Sequence, residues 1–144
     1  MATIFDVAKY ILERKGEMTT WKLQKLCYYA QAWSLAWDGK ELFPDDFEAW
    51  RNGPVCPALY RLHQGMFTIE ADQIPGGDSS VFDDDQRETL DVVIREYGDY
   101  DAYSLREQTH GELPWKQARG GLPPTANSNA IVSKCVIGEY YGSL

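Results

Sequence analysis

Apolar positions in the first part of the chain recur at helical spacing. Ile4, Val7, Ala8, Ile11 and Leu12 share one helical face. Thr3 and Asp6 have capping-box spacing, with Asp a weaker partner than Glu, and Gly16 is a natural stop. The pattern predicts a helix from about residue 4 to 15. Thr19 or Thr20 caps a second, longer helix. Leu23, Leu26, Cys27 and Ala30 form its apolar stripe, and Trp33, Ser34 and Trp37 extend it. Lys22, Lys25 and Gln31 fall away from the stripe or at its edges, and Asp38-Gly39 closes the helix.

The pattern then becomes less regular. Phe43-Pro44 imposes an extended or turn conformation. Phe47 to Arg51 reads as a brief strand or an irregular extended segment. Asn52-Gly53 is a strong turn signal, and Pro54 stiffens the chain beyond it. Pro57 suits the first turn of a third helix taking in Ala58, Leu59 and Leu62 and reaching toward Met66. Residues 65–80 form the largest loop of this part, ending in a Pro, Gly, Asp and Ser cluster with no apparent core role.

A fourth helix begins near Asp83, Asp84 and Asp85, where acids favour the positive end of the helix dipole. Leu90, Val93, Ile94 and Tyr97 form its apolar face and Gly98 ends it. Asp101 caps a short helix over about 102–109, and a second short element covers Pro114 to Arg119. After a loop at 120–129, a short extended piece leads to a helix from about Ser133 to Tyr141, with Gly138 an unfavourable interior residue. The expected fold is mainly α: one compact helical domain over residues 1–144, with at most one or two very short strands or extended segments.

Charge narrows the partners. The chain's net charge is −8; residues 1–72 carry 10 acids and 8 bases, and residues 73–144 carry 12 acids and 6 bases. An acidic surface repels phosphate backbones, which argues against general nucleic-acid binding. It favours encounter with a basic partner, or it keeps the protein soluble. Three scattered cysteines, Cys27, Cys56 and Cys135, suggest free thiols in a reducing compartment. MATIFDVAKY lacks the pattern of a signal peptide, and no run approaches the length of a membrane span. Cytoplasm is the expected location.

Candidate chemistry is sparse. His63 and His110 each lack a second ligand at metal-binding spacing, so no metal or cofactor is expected. Cys27 sits on an apolar face, the ordinary place for an inert thiol. Asp83 to Asp85 lack the ligand alternation of a calcium loop, and neither glycine pair belongs to a phosphate loop. Trp50 beside Asn52, Gly53 and Pro54 is either a core residue at a turn or an aromatic platform at an interface. His110, between Thr109 and Gly111, either ties two short helices together by a ring hydrogen bond or belongs to a polar cleft.

Three blocks carry a family resemblance. TTWKLQKLCYYAQAW at 19–33 holds a Lys-Leu-Gln-Lys-Leu core followed by Tyr and Ala-Gln. GKELFPDDFEAWRNGPVCPALY at 39–60 holds Glu-Ala-Trp followed by Gly-Pro-Val. YSLREQTHGELPWKQAR at 103–119 holds Leu105, Thr109, His110, Pro114 and Trp115. With these blocks in this order, the chain resembles the SocA-like antitoxin family, also called the Panacea domain. The tail from Ile131 to Tyr141 matches more loosely, Gly138 interrupts the last helix, and 65–80 has little family character. No appended DNA-binding module is seen, so the core domain alone is expected.

The resemblance implies a non-enzymatic antitoxin that neutralises a cognate toxin protein, by direct contact or as an adaptor that delivers its toxin to a protease. Relatives occur in phages and mobile elements. Partner contact is expected around Trp50, Asn52, Gly53 and Pro54, with Lys22 and Lys25 as neighbours. Thr109, His110 and Trp115 are expected to be structural or to line a cleft. Two alternatives stand beside it: a phage- or mobile-element-associated interaction or adaptor protein without a toxin, whose same surface binds a protease or host factor, and a small enzyme using His110 with Cys56 or a carboxylate.

Overall fold

A computed structural model describes residues 2–144. Among these the chain is mainly helical, with four strands of two or three residues each. Helix α1 spans Ile4–Lys15, α2 Thr20–Asp38, α3 Pro57–His63, α4 Asp84–Tyr97, α5 Ala102–His110, α6 Leu113–Arg119 and α7 Lys134–Gly142. Strand β1 (Met18–Thr19) pairs antiparallel with β4 (Thr68–Ile69), and β2 (Glu48–Trp50) with β3 (Gly53–Val55).

Local chemistry starts most helices where the sequence places them. Thr3 and Asp6 close a capping box on α1, and Asp83 and Gln86 close one on α4. The side chains of Thr19, Asp101 and Ser133 accept from the backbone N–H groups of Lys22, Ser104 and Val136.

Helix α2 is the axis of the fold. Residues 23–32 are buried in an unbroken run, so α2 is enclosed by α1, α4, α5, α7 and β3. Its polar residues in that run need internal partners, and they find backbone. Gln31, expected at an edge, is buried: its Nε2 donates to the Phe43 carbonyl and its Oε1 accepts from the Leu42 N–H. Seven residues earlier, Gln24 does the same with both backbone groups of Cys56 and also contacts the His63 ring at 3.0 Å. These two amides fix the otherwise irregular segment between α2 and α3. An aromatic cluster does similar work on the other side. Glu112 accepts from the Tyr29 and Tyr141 hydroxyls at 2.7 Å each, and Tyr29 stacks on Tyr97.

Three expectations need correction. Helix α3 ends at His63, short of Met66, because the chain turns there into β4. The 65–80 stretch is more ordered than a loop. It contains β4 and a 3₁₀ turn at Ala71–Gln73, buries Ile69 and Ile74, and passes tightly over α1: a Cβ on Gly77 would lie 2.6 Å from the Phe5 carbonyl oxygen. Gly138 does not interrupt α7, since the helix runs through it to Gly142.

Candidate functional site

The second and third sequence blocks meet at the β2–β3 hairpin. Trp50 pairs with Gly53 across its end, and Arg51 and Asn52 form an exposed two-residue turn. Beneath the turn lies the stem of Lys25. Gly53 has φ +112, and a Cβ there would meet Lys25 Cε at 2.4 Å and Thr109 Oγ1 at 3.1 Å. Glycine therefore serves here both for its backbone angle and for the close approach.

The third block supports the hairpin from the other side. The Trp115 indole N–H donates to the Trp50 carbonyl at 2.9 Å, and the His110 ring stacks on Trp115 at 3.8 Å. Arg119 lies over the Trp115 ring and donates to the Ala49, Pro123 and Ala126 carbonyls. Trp50 itself is half-buried, packed edge-on against Tyr60, with its indole N–H on Glu48. An open cleft of about 540 Å³ runs beside it, lined by Glu48, Trp50, Arg51, Asn52 and residues 127–129.

The expected partner residues fall into two layers. Trp50 and Asn52 reach the surface, whereas Lys25, Gly53 and Pro54 are buried beneath them. Lys22 points elsewhere: its Nζ donates to the Gly98 carbonyl at the end of α4. Thr109 is buried against Gly53, and its hydroxyl donates to the Arg106 carbonyl. Sequence reasoning missed Trp21, Arg106 and Arg119. The first two lie near Lys25 and Asn52, and only helical spacing from Lys25 and Thr109 hinted at them.

Burial sets the chemistry of these groups. Lys25 donates to the Pro54 carbonyl at 3.2 Å, and burial, then the Arg106 charge, brings its ammonium down to about 7. Burial, then Arg106, brings His110 down to about 4, so the imidazole is neutral at pH 7. Its Nε2 is buried without a partner, while the ring contacts the Arg51 backbone. Stacking on Trp115, rather than a hydrogen bond between helices, is what joins α5 to α6 through this residue. Cys56 is buried, with its thiol pushed up to about 11, and its backbone is held by Gln24. Burial also pushes the Cys27 thiol well up. Neither thiol is poised as a thiolate nucleophile. Among the described residues no group of three or more His, Cys, Asp or Glu could hold a metal, and no helix is long and apolar enough to cross a membrane.

A second exposed surface lies between α2 and α4. Trp33, Trp37, Val92, Tyr97 and Tyr100 line a groove of about 430 Å³, with Trp37 50% and Tyr100 49% exposed. It shares no lining residue with the Trp50 cleft.

No curated protein and no solved structure matches the chain. One family model, described as antitoxin SocA-like, Panacea domain, matches residues 23–116. That span runs from Leu23 in α2 through the whole β2–β3 hairpin to Lys116 in α6, and so contains Lys25, Trp50, Gly53, Thr109, His110 and Trp115. By that match, over well more than half of its length, the chain belongs to the SocA-like antitoxin family with a Panacea domain.

Proposed function

We propose that this protein is an antitoxin that holds and neutralises a cognate toxin protein by direct contact, in the cytoplasm, without catalysis of its own. Family membership carries the reading: the matched span contains the β2–β3 hairpin with Lys25, Thr109, His110 and Trp115, and Arg119 lies just beyond it. The hairpin is suited to the task. It is fixed from below by Lys25 and Gly53 and from the side by Trp115 and Arg119, and it presents Trp50 and Asn52 outward. A pre-organised aromatic anchor loses little entropy on binding. The net charge of −8 favours encounter with a basic toxin surface. The enzyme alternative gains no support from His110 and Cys56, which sit in separate environments, one stacked on Trp115 and the other gripped by Gln24.

Co-expression with the adjacent open reading frame tests this. A neighbour that is toxic alone and harmless with this chain upholds the reading. A neighbour that is harmless alone and does not co-purify defeats it.

The adaptor alternative draws on the second surface, since an adaptor must hold a toxin and a protease at once. The toxin's lifetime separates the two. Under direct neutralisation the toxin stays abundant in the complex, and under delivery its level falls when this chain is expressed.

A further inference from the structure

Between α2, α5 and the β2–β3 turn lies a small pocket of about 150 Å³, lined by Trp21, Lys25, Asn52, Ala102, Tyr103 and Arg106. We propose that it is a carboxylate site, taking an acidic side chain of the partner protein. The proposal rests on the antitoxin reading for the partner, and on the pocket for the chemistry.

Lys25 is only 1% exposed, yet its ammonium, with three donors, has one hydrogen-bond acceptor, the Pro54 carbonyl at 3.2 Å. No carboxylate pairs with it among the described residues. A buried ammonium so poorly matched is costly, and a methionine would fill its volume without that cost. The second cation at the pocket, Arg106, adds to the imbalance, since its charge disfavours the Lys25 ammonium. Arg106 reaches Glu107 through Nη1 and Asn52 Oδ1 through Nε. In a chain of net charge −8, two basic side chains thus flank one small void. An entering carboxylate would accept from both, and a charge-assisted pair is strongest in a partly desolvated place. Trp21, whose ring lies 5.5 Å from Lys25 Nζ, and Tyr103, 67% exposed, supply apolar walls for the stem of an Asp or Glu. The overall negative charge disfavours a polyphosphate backbone but not a single carboxylate on an otherwise basic partner.

The test uses the whole protein carrying carbon-13 at the lysine ε position. It is titrated by NMR with sodium acetate, against sodium chloride at equal ionic strength. The Lys25 signal is expected to shift saturably with acetate alone, and its ammonium pKa to rise by about one unit at saturation. Arg106→Gln should raise the half-saturating acetate concentration at least about threefold. Equal shifts with chloride, or no effect of Arg106→Gln, overturn the proposal. Inorganic phosphate saturating at about a tenth of the acetate concentration also overturns it, and points to a phosphate-bearing partner.

The toxin arm separates this proposal from the reading beneath it. Lys25→Met and Arg106→Gln, each first shown by thermal melting to be folded, are compared with wild type for capture of the neighbouring gene product. If wild type holds the neighbour and both variants hold it equally well, the pocket proposal fails and the antitoxin reading survives. If acetate binds at Lys25 but wild type ignores the neighbour, the carboxylate site stands and the antitoxin reading falls.

Discussion

Gly53 carries no side chain, and the stem of Lys25 fills the space a Cβ would need. Gly53→Ala therefore combines a strained positive φ with a contact at 2.4 Å that the Lys25 stem must yield to. We expect a loss of at least about 2 kcal/mol, read from the urea midpoint at unchanged slope. The turn that calls for a glycine was legible in Asn52-Gly53-Pro54. What approaches was not. Lysine on a helix usually reaches solvent, and nothing near Lys25 in sequence announces that a hairpin 29 residues on will cover it. His110 offers a second residue-scale test. Its folded pKa of about 4 lies below the roughly 6.5 of an unfolded histidine. Between those values the unfolded chain binds more protons, so stability falls as pH drops through the window. Discounted for the ring's partial exposure, the loss is about 1–2 kcal/mol. Burial raises the Glu112 carboxyl, which opposes this trend, but it does so in any variant that leaves Glu112 in place. His110→Phe keeps an aromatic ring for Trp115 and should flatten the acid limb by that amount in urea melts at pH 6.5 and 4.5. Parallel limbs would remove His110 from the account.

Elements were legible where their signals are local. The caps at Thr3, Thr19, Asp83, Asp101 and Ser133 each act within three residues, so each helix start could be read directly. The pair β1–β4 could not, because two-residue strands some 50 residues apart leave no pattern of alternation. Strand β3 was hidden for another reason: Gly53 and Pro54 argue against a strand, and Pro54 is tolerated because β3 is the outer member of its pair. The inner member, β2, is tied instead to the segment before α7, through Ala49 N–H to the Ala130 carbonyl and Val132 N–H to the Phe47 carbonyl. Polar residues inside α2 ran furthest from expectation, since helical spacing put Lys25 and Gln31 off the apolar stripe or at its edges and both are buried. The structure makes α2 a backbone clamp, and Gln24→Leu should show it. That change orphans the buried N–H of Cys56 and removes one of two donors to its carbonyl, which keeps the Tyr60 N–H, and a loss of about 1–3 kcal/mol is expected in thermal or urea unfolding. In α7 the expectation has the opposite sign. A Cβ on Gly138 would meet Leu35 at 3.7 Å, an ordinary contact, so Gly138→Ala should add about 0.5–1 kcal/mol through helix propensity. A loss there would mean that α7 and α2 cannot accept even one methyl group between them.

At the scale of the whole molecule, Lys25 couples global stability to pH. Its folded pKa of about 7 lies well below the 10.5 of a free lysine, so between these values the unfolded chain holds the proton that the folded chain has released. Stability therefore rises with pH across that interval, by about 1 kcal/mol from pH 7 to pH 8. The upper part of the interval is less clean. Burial raises the Cys27 and Cys56 thiols in the folded state, and Tyr10 to about 12, so those groups lose stability once their unfolded counterparts ionise. The Lys25 effect is thus read best between pH 7 and about 8, below the usual range of an unfolded cysteine. Urea unfolding of wild type should show the rise, and Lys25→Met should be flat over the same range. A wild type that is also flat would mean that Lys25 keeps its proton when folded, with a counter-charge or water beside it, and the pocket at the hairpin would then lack the electrostatic imbalance on which a carboxylate depends. A rising wild type with a flat variant would show that folded Lys25 gives up its proton for want of a counter-charge beneath the exposed Arg51-Asn52 turn, and a partner's carboxylate can supply that charge.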